Sequence, residues 1–224
     1  MLPENNPNNN SFVISYLNLR IALGFVGFFL PIILVIGTWS FANCTQIQPS
    51  ISHYYYTVMG NYFVGSLCAV AMFLFFYKGV DKRDSIVANF AAVFALLVAF
   101  FPTDPSGSSI CQFVTNNRTS SVNYIHYTAA GLLFSSFAYF SLVLFTKTNP
   151  SKAMTHNKKM RNNIYKTCGV IIVICIVLIG IYNLVDGLEE KFAKYKPTLV
   201  FESIALFAFG SSWIAKGEMF LSDK

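Results

Sequence analysis

The stretch KTNPSKAMTHNKKMRNNIYKTCGVIIVICIVLIGIY, residues 147–182, decides the fold. Its first part carries Lys147, Lys152, Lys158, Lys159, Arg161 and Lys166, whereas residues 169–182 carry no charge. A basic run followed directly by a long apolar one is the pattern of a helix that enters a bilayer from the cytoplasmic side. The rest of the chain repeats the pattern. Apolar blocks approaching the ~20 residues needed to cross ~30 Å of hydrocarbon lie at about 17–41, 54–77, 86–101, 124–146, 164–184 and 198–216. Pro31 predicts a kink in the first block and Pro102 an end to the third. None of the blocks shows strand-type alternation, so a β-barrel is not expected. The expected fold class is all-α, a polytopic transmembrane bundle of six helices with both termini cytoplasmic.

Composition agrees. Charged residues make up 12% of the 224 and hydrophobic residues 54%, with a mean hydropathy of +0.52. A soluble domain carries about 25% charged residues, so this chain has too few to cover a water-facing surface. Residues 1–12, MLPENNPNNNSF, are rich in Asn and Pro and read as a disordered tail, followed by one transmembrane domain over 13–224. The start is not basic, and the first apolar block is too long for a cleaved signal peptide, so it reads as a retained helix.

Charge assigns the sides. With the N-terminus inside, the inner segments hold 12 of the 16 cations (Arg20, Lys78, Lys82, Arg83, Lys147, Lys152, Lys158, Lys159, Arg161, Lys166, Lys216 and Lys224). The outer segments hold the other 4: Arg118, Lys191, Lys194 and Lys196. This distribution follows the positive-inside rule and removes the nucleic-acid reading that a net charge of +6 invites. The expected partners are membrane lipids. Small residues at Gly24, Gly27, Gly60, Gly65, Ala69 and Ala91 predict helix contacts, within the bundle or in a homo-oligomer. Tyr54, Tyr55 and Tyr56 suit an outer interfacial belt, and Tyr77 and Trp213 an inner one.

Cys44 and Cys111 both fall in outer loops, which predicts a disulfide between them, with two free thiols as the alternative. Cys68, Cys168 and Cys175 lie in helices and read as packing residues. Asn43-Cys44-Thr45 and Asn117-Arg118-Thr119 fit the glycosylation sequon, which has meaning only in a host that glycosylates. Asp81 and Asp84 flank Lys82 and Arg83 in a turn expected to be solvated and to pair with the loop before the fifth helix. His156 reads as a solvated residue of the basic loop.

Polar residues inside lipid are costly, so their positions are informative. His53, Asp104, His126 and Glu202, with Asn61, gather at the outer ends of helices. Helical spacing puts His53, Thr57, Gly60, Asn61, Val64 and Cys68 on one face. It likewise aligns His126 with Ala130, Leu133 and Phe137, and Glu202 with Ala205, Phe209 and Ser212. Two imidazoles and one or two carboxylates have the chemistry to bind Zn²⁺ at His53 and His126, or to act as base and acid on a lipid headgroup. The plain alternative is a set of interfacial residues bonded to each other and to water. No HxxxH or HExxH spacing occurs, and no cofactor is expected from any motif.

ISHYYYT at 51–57, NYFVGSLCAVAMFLFFYKG at 61–79, FALLVAFFPT at 94–103 and RNNIYKTCG at 161–169 resemble a family of bacterial multi-pass membrane proteins of unknown function. The resemblance implies a bacterial inner-membrane location and no particular activity. A remote resemblance is to the CREST membrane hydrolases, which hold zinc with three His, an Asp and a Ser in seven helices. This chain has three His in all, one of them in the basic loop, so that site does not carry over. Three functions follow as expectations. The first is a non-enzymatic sensing, scaffolding or envelope protein. The second is a lipid-modifying hydrolase using His53, Asp104, His126 and Glu202. The third is a small-solute or proton-coupled transporter with Glu202 as the titrating group.

Overall fold

The computed structural model describes residues 7–79, 81–105, 111, 120–148 and 153–222. The second sequon, at 117–119, lies outside the described residues, as do the first six residues of the expected tail. Among the described residues the fold is all-α with no strand. The helices are α1 Pro7–Ala42, α2 Gly60–Phe76, α3 Lys82–Phe100, α4 Ser120–Tyr139, α5 His156–Leu184, the short α6 Leu188–Phe192, and α7 Pro197–Lys216. A 3₁₀ turn, Ser52–Tyr56, precedes α2, and a π-helical turn, Phe140–Leu144, continues α4. Five helical segments are long and apolar enough to cross a membrane; α2, with 17 residues, is a shorter apolar helix.

Several boundaries differ from the sequence reading. Helix α1 starts at Pro7 and takes in residues 7–12. A proline tolerates the first helical turn, where its missing N–H is not needed, and the apolar run behind it supplies the packing. Helix α5 starts at His156, so half of the expected basic loop is helical. Thr155 caps it by accepting the Lys158 N–H at 3.1 Å. Helix α2 starts at Gly60 and not at Tyr54, because Thr57 adopts an extended backbone and ends the 3₁₀ turn. The face predicted across His53, Thr57 and Asn61 therefore does not exist. Asn61, Gly65 and Ala69 are exposed, and the buried stripe of α2 runs through Phe63, Ser66, Leu67, Val70 and Leu74.

The long helices close a ring. Each of α1 to α5 packs on the next, and α7 packs on both α5 and α1. The centre is filled from opposite sides by Phe137 and Phe209, stacked at 3.9 Å. Helices α1 and α7 approach backbone to backbone at Gly24 and Gly210. Helix α3 offers its neighbours a stripe of fully buried alanines, at 88, 91, 92, 95 and 99. Large apolar side chains remain on the outside, including Phe76, Phe100, Ile174 and Val177, as expected of a lipid-facing surface.

Contacts define two ends. At one, Tyr16 donates to the Lys78 carbonyl (2.5 Å), and Lys147 pairs with Asp81 (2.9 Å) and Asp84 (2.5 Å). The pairing anticipated for this turn is present, but Asp84 is buried and not solvated. It and Asp81 form a reciprocal capping box at the start of α3. These bonds hold the Lys147 ammonium above the ordinary lysine range. At the other end, Leu199 N–H donates to the Pro49 carbonyl (3.1 Å), and Cys44 and Cys111 lie at disulfide distance, Cα to Cα 5.8 Å. The aromatic residues read as interfacial anchors turn inward: Tyr54, Tyr56, Tyr77 and Trp213 are all buried. Trp213, fully buried, packs against Phe73, Tyr77, Phe140 and Phe145. Cys168 and Cys175 are buried packing residues, Cys68 is half-buried, and His156 is exposed at the first turn of α5.

Candidate functional site

The end that carries Cys44 and Cys111 collects the polar residues singled out in the sequence. Its centre is the segment from Gln48 to Thr57, folded down onto the bundle as a plug. Gln48, Ser50, Ser52, Tyr54, Tyr56 and Thr57 are all buried. Such a segment must satisfy its polar groups internally. Thr57 meets Thr38 of α1 (3.3 Å), and the Tyr56 hydroxyl donates to the Thr103 carbonyl after α3. Thr103 in turn donates to the Tyr127 hydroxyl on α4 (2.9 Å).

His126, in the second turn of α4, is 2% exposed and uses both ring nitrogens. Nδ1 lies 2.7 Å from the Phe101 carbonyl and Nε2 lies 2.9 Å from Ser52 Oγ. A carbonyl can only accept, so Nδ1 carries the proton, and in the neutral ring Nε2 accepts from the Ser52 hydroxyl. The imidazole caps the C-terminus of α3 and ties α4 to the plug.

Glu202, in the second turn of α7, accepts the Ile51 backbone N–H at 2.6 Å, just before the 3₁₀ turn. Asp104 accepts from Asn123 of α4. His53 pairs with Ser50 (Nδ1 to Oγ 2.6 Å). Each of the four candidate residues thus has an internal partner. No three His, Cys, Asp or Glu side chains converge as a metal site among the described residues. The face predicted for α4 holds, since His126, Leu133 and Phe137 are buried with Ala130 half-buried beside them, whereas Asn61 points away from the group.

Below the plug lies a cavity of about 50 Å³. Its polar lining comes from Ser52, Ser66 and Glu202, and the rest is apolar, including Leu133 and Phe209. Ser52 is the residue that sequence reading missed. It sits beside His53 in ISHYYYT, but only the fold brings it to His126, 74 positions away. A serine hydroxyl bonded to a neutral imidazole has the composition of a nucleophile–base pair. The group orienting that imidazole is here a backbone carbonyl and not a carboxylate.

Burial holds His53 well below the ordinary histidine range, at about 4; a proton on His126, when it is present, and the Lys196 ammonium push the same way, and Asp104 opposes them. The unfolded chain would bind this proton near 6.5, so it takes up the proton before the folded chain does. Stability from this group is complete above about pH 6.5 and is lost as pH falls toward 4. Thermal unfolding followed from pH 7 to 4 should therefore show a falling unfolding temperature, and His53→Gln should flatten that slope.

No family model, no curated protein and no solved structure matches this chain.

Proposed function

We propose that this chain is a six-helix integral protein of a bacterial inner membrane, with both termini cytoplasmic and a non-catalytic sensing, scaffolding or envelope role. Its outer polar residues close the bundle and perform no chemistry. The observation that carries this reading is that His53, Asp104, His126 and Glu202 are each engaged by a partner within the protein. Two further observations support the topology. Helix α2, at 17 residues and 1.5 Å per residue, is about 25 Å long, close to the hydrocarbon thickness, and the buried plug lies directly before it. Six crossings return the chain to its starting side. The basic residues then fall 12 to 4 toward the cytoplasm. The inner-membrane location is supported by the resemblance of residues 51–169 to bacterial multi-pass proteins.

A second reading, a lipid-modifying hydrolase, is favoured by one observation: the Ser52–His126 hydrogen bond at the wall of the cavity. In it Ser52 is the nucleophile and His126 the base. The transport reading gains nothing from Glu202, whose neighbouring cavity is lined chiefly by apolar side chains.

One experiment separates the two. Purified protein and its Ser52→Ala variant are treated with a fluorophosphonate probe, and fatty-acid release from a phospholipid ester is followed in parallel. The non-catalytic reading expects no adduct on Ser52 and no release above buffer. An adduct on Ser52, or release that disappears in Ser52→Ala, would overturn it in favour of the hydrolase.

A further inference from the structure

The cavity of about 50 Å³ below the plug is walled by α1, α2, α3, α4 and α7 and covered by Ile51 and Ser52. Most of the wall is apolar, including Leu30, Leu67 and the stacked pair Phe137 and Phe209. Three polar side chains share it: Ser52, Ser66 and Glu202. Inside an apolar bundle, polar groups are expected to be satisfied by partners within the protein. These three are only partly satisfied.

Glu202 spends one oxygen, Oε2, on the Ile51 N–H at 2.6 Å, and Oε1 has no partner among the described residues. No ion pair among the described residues includes Glu202, whereas Asp81 and Asp84 share Lys147 and Glu218 lies beside Arg161. Ser66, on the buried stripe of α2, is 9% exposed and has no hydrogen-bond partner among the described residues. Ser52 gives its hydrogen to His126 Nε2 at 2.9 Å and keeps lone pairs that can accept. The cavity therefore presents acceptor oxygens from three elements, the plug, α2 and α7, and one carboxylate without a cation.

We infer that this cavity binds a small primary ammonium ion, with its nitrogen toward Glu202, Ser66 and Ser52 and its alkyl group against the apolar wall. An ammonium carries three N–H donors and no acceptor, which matches three acceptor groups. Its charge supplies the cation that Glu202 lacks, and an unpaired carboxylate within a span is costly. Size limits the alkyl group. At ~30 Å³ for each water-sized group, the cavity has room for about two or three non-hydrogen atoms, which is methylammonium or ethylammonium. The inference rests on the sensing form of the role proposed above and names the class of ligand sensed. Its test reads binding alone, so a negative result leaves the fluorophosphonate outcome, and the choice it makes between the two readings, as they stand.

A ligand this small binds at best with about millimolar strength, because each of its few atoms contributes a limited amount. The purified protein in a neutral detergent at pH 7 is therefore titrated with methylammonium or ethylammonium chloride to about 100 mM, and thermal unfolding is followed. The controls are sodium chloride at matched ionic strength, which has charge and no N–H, and ethanol at matched concentration, which has the size and no charge. At least one of the ammonium salts should raise the unfolding temperature by about 5 °C over both controls. Glu202→Gln keeps an acceptor for the Ile51 N–H and drops the charge, so it should abolish the rise. Ser66→Ala removes one acceptor and should lose about half of it. No rise over sodium chloride with either salt, or an equal rise with ethanol, overturns the site. So does an undiminished rise in Glu202→Gln or, should that variant not fold, in Ser66→Ala.

Discussion

Replacing Gly210 with alanine should destabilise the protein by about 1–3 kcal/mol, and replacing it with leucine by more. A Cβ at this position would lie 2.5 Å from the Gly24 carbonyl oxygen, 2.7 Å from Phe28 Cβ and 2.8 Å from the Phe28 amide nitrogen. Two of these three atoms are backbone and cannot rotate aside. The α1–α7 crossing must therefore open, and with it the seam that closes the ring of helices. Gly180 is the control. It lies in α5 with nothing within 4 Å of an added Cβ, so Gly180→Ala should be neutral or gain up to about 1 kcal/mol from helix propensity. Thermal unfolding in detergent reads both, at about 2–4 °C per kcal/mol for a chain of this size. Equal behaviour of the two variants would mean that the crossing is not close.

The second large effect is expected at His126. Leucine there is similar in bulk but removes both hydrogen bonds of a 2% exposed side chain. The Phe101 carbonyl at the end of α3 loses its cap, and the Ser52 hydroxyl, itself buried, loses its acceptor. Each polar group left without a partner costs about 1–3 kcal/mol, so His126→Leu should cost about 2–5 kcal/mol in unfolding experiments. Ser52→Ala removes only one of the two bonds and should cost about 1 kcal/mol. A His126→Leu protein as stable as wild type would show that the imidazole does not join α3, α4 and the plug.

The spans were legible because lipid sets a demand that one chain segment must meet alone: enough consecutive apolar residues. GVIIVICIVLIGIY meets it without reference to any other segment. The Cys44–Cys111 proximity was legible for a related reason, since alternating spans put the loops that hold them at the same end of the bundle. The plug was not. ISHYYYT reads as the start of a helix because its aromatic residues continue the apolar block, yet Tyr54 and Tyr56 turn inward as a 3₁₀ segment. What fixes that turn lies elsewhere in the chain: Glu202 holding the Ile51 amide and Thr103 receiving Tyr56. Trp213 misled in the same way. Its position in sequence fits an interfacial belt, but only the neighbours Phe73, Tyr77, Phe140 and Phe145 decide that it is core. His126 and Glu202 were found because a polar group in an apolar block is conspicuous by its cost. Ser52 is small, polar and adjacent to a loop, and only its partner 74 residues away gives it meaning.

In the proposed topology the two ends of the bundle face opposite sides of a membrane. Cysteines placed at exposed Tyr195, in the turn before α7, and at exposed His156, at the start of α5, report on the two ends directly. With Cys68, Cys168 and Cys175 replaced by alanine, a membrane-impermeant maleimide should label Tyr195→Cys from outside intact spheroplasts. His156→Cys should label only after the membrane is permeabilised. Labelling of both positions from the same side would contradict the six-span arrangement.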